Sequence, residues 1–318
     1  MSRVLCIGET MVQVTPSRGG RISAHTDFRL VAGGAESNVA SALTQLGAAT
    51  AWLGALGRDP FGEIVMKSLE SDGVDTSFVV QDETRKTAVY FKDVRGSSTD
   101  VYYYREGSAM SHAGPNLLEA VTSLSWDLVH MSGITPALSD SCRNLTEKVI
   151  VNRAFGDTPT SFDINYRSAL WKDSDARSAL ADFANHADIV FVGMDEAHEI
   201  WGFSDPAEVR SFLSGPQFLI VKNSEKAATE YSHEGTFEEP AIDVDVVEKV
   251  GAGDAFAAGW LSSFLAGKNG SQRLRLGHLM AAEALKTHTD AATPPSPEVI
   301  ATYLEPRDSS RVGLSAQE

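Results

Sequence analysis

Short apolar runs and longer segments of helical spacing take turns along this chain. Residues 3–8 (RVLCIG) are almost wholly apolar, which predicts a buried strand. Residues 35–47 (AESNVASALTQLG) carry apolar positions at helical spacing and close on Gly47, which predicts a helix. A strand-like run follows at 50–57, then a helix at 61–73 closed by Gly73. Four more short apolar runs, at 127–133, 159–165, 187–193 and 217–222, each lie near a helical pattern. This rhythm predicts an α/β fold, a mostly parallel Rossmann-like sheet with helices on both faces. Ligands in such folds sit beyond the carboxyl ends of the strands.

Two regions depart from the rhythm. Residues 10–32 and 86–105 alternate with period two and contain no helical pattern. TAVYFKDV and TDVYYYR flank the turn-rich RGSS and predict a hairpin. A small β-sheet on an α/β body predicts a lid, and its exposed face invites a second copy of the chain, a homodimer through the lid. Near the end, TPPSP (293–297) breaks the helical pattern, and residues 306–318 read as a frayed tail. One domain over 1–305 is expected.

The 318 residues are 42% hydrophobic and 22% charged, ordinary for a globular protein. A net charge of −16 offers no basic field to draw nucleic acid or an anionic membrane. An anionic substrate would need locally placed Arg or Lys. Cys6 and Cys142 lack metal-ligand spacing, and Cys6 reads as a buried core thiol. No window is long enough to cross a bilayer and the start has no signal-peptide core, so a cytoplasmic protein is expected.

The sharpest candidate chemistry lies in VGAGDAFAAGW (250–260). Gly251, Ala252 and Gly253 lead into Asp254 where an alanine-rich helix should begin. Asp254 could cap that helix. The glycines also let backbone N–H groups converge on an anion at a helix start, and a carboxylate beside a phosphate can take the proton of an attacking hydroxyl. The dinucleotide fingerprint fits poorly, because its third glycine would fall at Phe256. FDINYR (162–167) closes a strand, and period two would put Asp163, Asn165 and Arg167 on one face, either as an internal Asp–Arg pair or as a polar site. In YYYREGSA (102–109), alternation groups Tyr103 with Arg105. That pair suits a carboxylate or phosphate, or is a solvated lid arginine over aromatic packing. VAGGAESNVA (31–40) feeds a glycine pair into a helix, with Glu36 and Asn38 at its start. Lys222 stands at a strand end, where a lone lysine is most often solvated.

The order of Gly-Gly-x-x-x-Asn, Asp-x-Asn-x-Arg and Gly-Ala-Gly-Asp along one chain resembles the ribokinase-like (PfkB) carbohydrate kinases, over roughly residues 3–305. The resemblance implies a ribokinase-like fold with a β-sheet lid, use of ATP and Mg²⁺, an anion hole at Gly251–Ala252–Gly253, and Asp254 as catalytic base. Lys222, Ser224, Ala227, Gly251 and Gly253 would line the nucleotide, and Glu196 would reach the metal indirectly. YYYREGSA, SGITPAL (132–138) and DINYRSALW look most like the 2-keto-3-deoxygluconate kinases within the family. That likeness implies phosphorylation of the sugar acid to its 6-phosphate, with a substrate site of Gly34, Asn38, Tyr90, Tyr103, Arg105, Ile134, Asn165, Arg167 and Asp254. The alternatives are a kinase for a neutral sugar (fructose, ribose) or another sugar acid such as 2-keto-3-deoxygalactonate, and a non-catalytic sugar-binding regulator. Four positions depart from the family pattern. Ser224 and Ala227 stand where Lys-x-Gly-x-x-Gly has glycines, Gly193 replaces the Asn of Asn-x-x-Glu, and Glu248 replaces an Asp that helps hold a monovalent cation in several members. A requirement for K⁺ is therefore left open.

Overall fold

A computed structural model describes residues 1–95, 98–171, 173–248, 250–287 and 293–305. The N-terminal half runs β1 (Arg3–Ile7), β2 (Met11–Pro16), β3 (Phe28–Gly33), α1 (Ala35–Gln45), β4 (Ala49–Leu53), β5 (Ala55–Gly57), α2 (Pro60–Ser71), β6 (Val80–Asp82), β7 (Val89–Arg95) and β8 (Ser98–Tyr104). Then come β9 (Leu128–Ser132), α3 (Asp140–Ile150), β10 (Thr160–Asp163), α4 (Asp173–His186), β11 (Ile189–Gly193), α5 (Met194–Trp201) and α6 (Pro206–Phe212). The chain continues through β12 (Phe218–Asn223), β13 (Ala227–Ser232), β14 (Gly235–Pro240), α7 (Ala252–Leu265), α8 (Gly270–Leu285) and α9 (Pro297–Leu304).

Eight strands form the main sheet in the order β14-β13-β12-β11-β10-β9-β1-β4. From β4 to β12 every pairing is parallel, and β13 and β14 are antiparallel additions at one edge. Alternation along the strands feeds two cores. Val190 and Val192 of β11 join residues of α3, α4 and α5 on one face, whereas Ile189 and Phe191 join α1, α7 and α8 on the other. Both faces are therefore covered, as the apolar strands require.

From Ala255 to Leu261 helix α7 is apolar on every side because it is buried on every side. Its small residues let α8 come close: a Cβ at Gly259 would stand 2.5 Å from the Leu276 carbonyl oxygen. Trp260 packs edge-on against Phe191, with ring centroids 5.5 Å apart. Truncating Phe191 to Ala should cost about 3–5 kcal/mol.

The lid is a four-stranded sheet, β3-β2-β7-β8, in which β2–β3 and β7–β8 are antiparallel and β2–β7 parallel. The tip of the expected hairpin, 96–97, and the expected tail, 306–318, lie outside the described residues. The run expected as one strand at 50–57 divides at Gly54 into β4 of the main sheet and β5, which pairs with β6. A Cβ at Gly54 would meet Trp52 at 2.4 Å and the Gly8 carbonyl oxygen at 2.6 Å, so the chain breaks where the backbones crowd. TPPSP does interrupt the helices, but its last proline opens α9 at the first helical position. Both cysteines are free and buried.

Candidate active site

The carboxyl ends of β9–β12, the start of α1, the start of α7 and the inner face of the lid enclose a cavity of about 810 Å³. All of the candidate site residues named from the sequence line it: Gly34 and Asn38, Tyr90, Tyr103 and Arg105, Ile134, Asn165 and Arg167, Glu196, Lys222, Ser224 and Ala227, and Gly251–Asp254.

Asp254 is not a cap. Gly251 occupies the N-cap position in the left-handed region (φ 84°), and Asp254 is the third residue of α7. Its carboxylate turns away from its own helix and accepts from Asn38 Nδ2 at 2.8 Å, joining positions 216 residues apart. Burial pushes Asp254 up to about pKa 7. The Asn38 hydrogen bond works against this, the charge of Asp163 adds to it, and Arg167 and Lys222 offset part of it. A Cβ on Gly253 would find nothing nearer than Lys222 Nζ at 3.7 Å, so the first turn of α7 opens into the cavity beside an ammonium group. The leading N–H groups of a helix have no partner within it and favour an anion.

Lys222 is not solvated. Its Nζ donates to Asp163 Oδ2 at 3.0 Å and Oδ1 at 3.4 Å. This replaces the Asp163–Arg167 pair considered from the sequence. Period two also fails there: β10 ends at Asp163, and Asn165 takes a left-handed conformation (φ 39°). Asn165, Arg167 and Asp163 reach the cavity all the same. Asn165 Oδ1 is buried with no hydrogen-bond partner among the described residues, which leaves an acceptor for a ligand.

Arg105 is buried rather than solvated. Its Nε donates to Glu9 Oε2 at 2.8 Å, Nη2 binds the same oxygen, and Ser108 Oγ donates to Glu9 Oε1 at 3.0 Å. The guanidinium lies 5.4 Å from the Tyr103 ring centroid. Arg167 is the freer cation. Its side chain is 49% exposed, its Nη1 donates to the Tyr166 carbonyl at 2.8 Å, and Glu196 Oε1 is 3.9 Å away. Glu196 accepts from the N–H of Tyr166 (2.9 Å) and Gly193 (2.8 Å), and burial followed by the charge of Asp163 pushes it up to about pKa 7. Ser224 keeps a left-handed backbone (φ 45°) where the family pattern has glycine, so the β12–β13 turn survives the replacement.

Sequence reasoning missed Glu9, Lys92, Asp195 and His278, which also line the cavity. Only Lys92 left a signal: it shares the inward register of Tyr90 on β7. Its Nζ donates to Glu248 Oε1 at 2.9 Å.

Three comparisons bear on this geometry. A family model described as pfkB family carbohydrate kinase matches residues 1–297. A Haloferax volcanii protein named 2-dehydro-3-deoxygalactonokinase is 33% identical, with 94% of this chain and 95% of that protein aligned. A Thermoproteus tenax protein named 2-dehydro-3-deoxygluconokinase is 32% identical, covering 93% and 92%. The solved structure of a PfkB protein from Polaromonas sp. JS666 superposes with a TM-score of 0.82 at 31% identity, covering 91% of this chain and 97% of that one. The chain belongs to the pfkB family of carbohydrate kinases.

Proposed function

We propose that this enzyme transfers the γ-phosphoryl group of ATP to the terminal hydroxyl of 2-keto-3-deoxygluconate, giving the 6-phosphate. The observation that carries the reading is Asp254, held by Asn38 between the sugar side of the cavity and the open first turn of α7. The hydroxyl oxygen bonds to the γ-phosphorus as the bond to the β–γ bridging oxygen breaks, and the hydroxyl proton passes to Asp254. A proton affinity near neutrality suits that task, because the group is ionised at the working pH and still basic. Backbone N–H groups of Ala252, Gly253 and Asp254, with Lys222 beside them, stabilise the charge on the phosphoryl oxygens. Arg167 takes the carboxylate of the sugar acid, and Tyr103 and Arg105 wall it from the lid.

Magnesium fits the acidic side of the cavity, where Glu196 lies buried beside the charge of Asp163. Glu196 would hold it through water, and the ion would neutralise phosphate charge. A monovalent cation fits Glu248 poorly, since that carboxylate already binds the Lys92 ammonium. The outer lid face, with Phe28, Leu30, Tyr102 and Tyr104 exposed, is read as the homodimer contact. The cytoplasm, which supplies ATP, is its place of work. Among the described residues no helix is long and apolar enough to cross a membrane.

A neutral-sugar kinase is the second reading, and the neutralisation of Arg105 by Glu9 favours it. An ADP-release assay decides between them. The sugar-acid reading expects kcat/KM for 2-keto-3-deoxygluconate or its C4 epimer to exceed that for fructose and ribose by about tenfold or more. A neutral sugar turned over faster than either acid would overturn it.

A further inference from the structure

Glu36 is the second residue of α1, and its side chain has no exposed surface. One oxygen, Oε1, accepts three hydrogen bonds: from Ser132 N at 3.1 Å, Ser132 Oγ at 2.7 Å and Thr135 Oγ1 at 3.1 Å. The other, Oε2, is buried with no hydrogen-bond partner among the described residues. The carboxyl fills the space beside Gly8 at the end of β1, where a Cβ would stand 2.1 Å from it. Ser132 Oγ in turn accepts from the N–H of Ile134, which lines the cavity. One carboxyl group thus joins the helix that carries Asn38 to the loop that carries Ile134.

We propose that Glu36 is a positioning residue for the acceptor sugar, fixing Asn38, and through it Asp254, at a set distance from the Ile134 wall. The proposal rests on the kinase reading above and deepens it. A solvated glutamate would serve helix α1 equally well as a first-turn acid, so complete burial with a triple acceptor needs another reason. Loss of that acceptor strands three donors on the β9 side and frees α1 to shift relative to Ile134. Burial holds the carboxyl above the usual carboxylate range, which the donors from Ser132 and Thr135 only partly offset. A neutral acid resembles glutamine in size and charge, and both leave one buried polar atom at the Oε2 position.

The test measures kcat and both KM values in Glu36→Leu, Glu36→Gln and Thr135→Val, on whichever acceptor the wild type turns over fastest. Because each variant is compared on that acceptor, an error in the substrate assignment leaves the outcome readable. Glu36→Leu should raise the acceptor KM by about tenfold, the scale of a lost buried hydrogen bond, and lower kcat as Asn38 and Asp254 shift, with the KM for MgATP within about threefold. Glu36→Gln, which keeps an acceptor oxygen, should restore the acceptor KM to within about threefold of wild type. If Glu36→Leu does not fold, Thr135→Val deletes one donor at constant shape and should raise the acceptor KM by about threefold or more. An unchanged acceptor KM in these folded variants, equal rises for acceptor and MgATP, or a Gln variant as impaired as Leu would overturn the proposal.

Discussion

Each end of the cavity sets a paired charge beside one that is only partly paired. At the phosphoryl end, Lys222 is matched to Asp163, but Asp254 has, among the described residues, a single side-chain donor, Asn38, and a proton affinity near neutrality. At the acceptor end, Arg105 is matched to Glu9, and Ser108 takes the other oxygen of that carboxylate, whereas Arg167 is half-exposed. Each end therefore holds one matched group and one under-matched group. A matched buried pair keeps its shape, because breaking it strands a charge. The under-matched groups, Asp254 and Arg167, are free to answer a ligand.

The largest break falls on the under-matched acid. Asp254→Asn should lower kcat by about 10²–10⁴-fold with the fold retained. The same variant should melt higher than wild type at pH 8. The folded-state affinity of Asp254 is raised from the usual 3.8 to about 7, so the folded chain binds the extra proton between those values. The stability tied to that proton is present at low pH and is lost as pH rises through about 7, a loss that Asn does not share. Calorimetry at pH 5 and pH 8 checks the sign, and kcat/KM of the wild type should climb with pH to a plateau above about 7.

Next comes the under-matched arginine. Arg167→Ala should raise the KM for the keto-acid roughly tenfold to hundredfold, the range of one charge-assisted bond. Activity on fructose should change by less than about threefold, because no carboxylate is lost. Equal losses on both substrates would erase the contrast between the two arginines.

Substitutions in the matched pair should look different. Glu9→Gln leaves the buried guanidinium of Arg105 partly unmatched and should destabilise the protein by up to about 3 kcal/mol, read as a lower urea midpoint. Arg105→Ala should harm acid and neutral sugars alike, since Arg105 supports the wall before it meets any substrate. A loss confined to the keto-acid would show that Arg105 leaves Glu9 to bind it. The smallest effect belongs to the outer lid: Tyr104→Glu should weaken the proposed lid dimer in sedimentation at micromolar concentration while kcat stays within about threefold.

The body of this fold was legible because its signals are local. Apolar runs became β9, β11 and β12, and alternation marked β7 and β8. The break at Gly54 was not legible, since it follows from crowding against Trp52 and Gly8. The cavity-lining set was named from short motifs, yet the burial and partners of its charges were misread. Lys222 meets Asp163 across 59 residues, and Arg105 meets Glu9 across 96. Spacing says nothing about such partners. Alternation likewise failed after β10, where the left-handed Asn165 turns the chain.

Product analysis tests the central claim most directly. The enzyme is incubated with MgATP and 2-keto-3-deoxygluconate, and the product is read by phosphorus NMR with proton coupling. The account predicts ADP and one new phosphate ester whose phosphorus couples to the C6 methylene protons. Inorganic phosphate as the only new product, an ester at another carbon, or no turnover of the keto-acid while fructose is phosphorylated would contradict it.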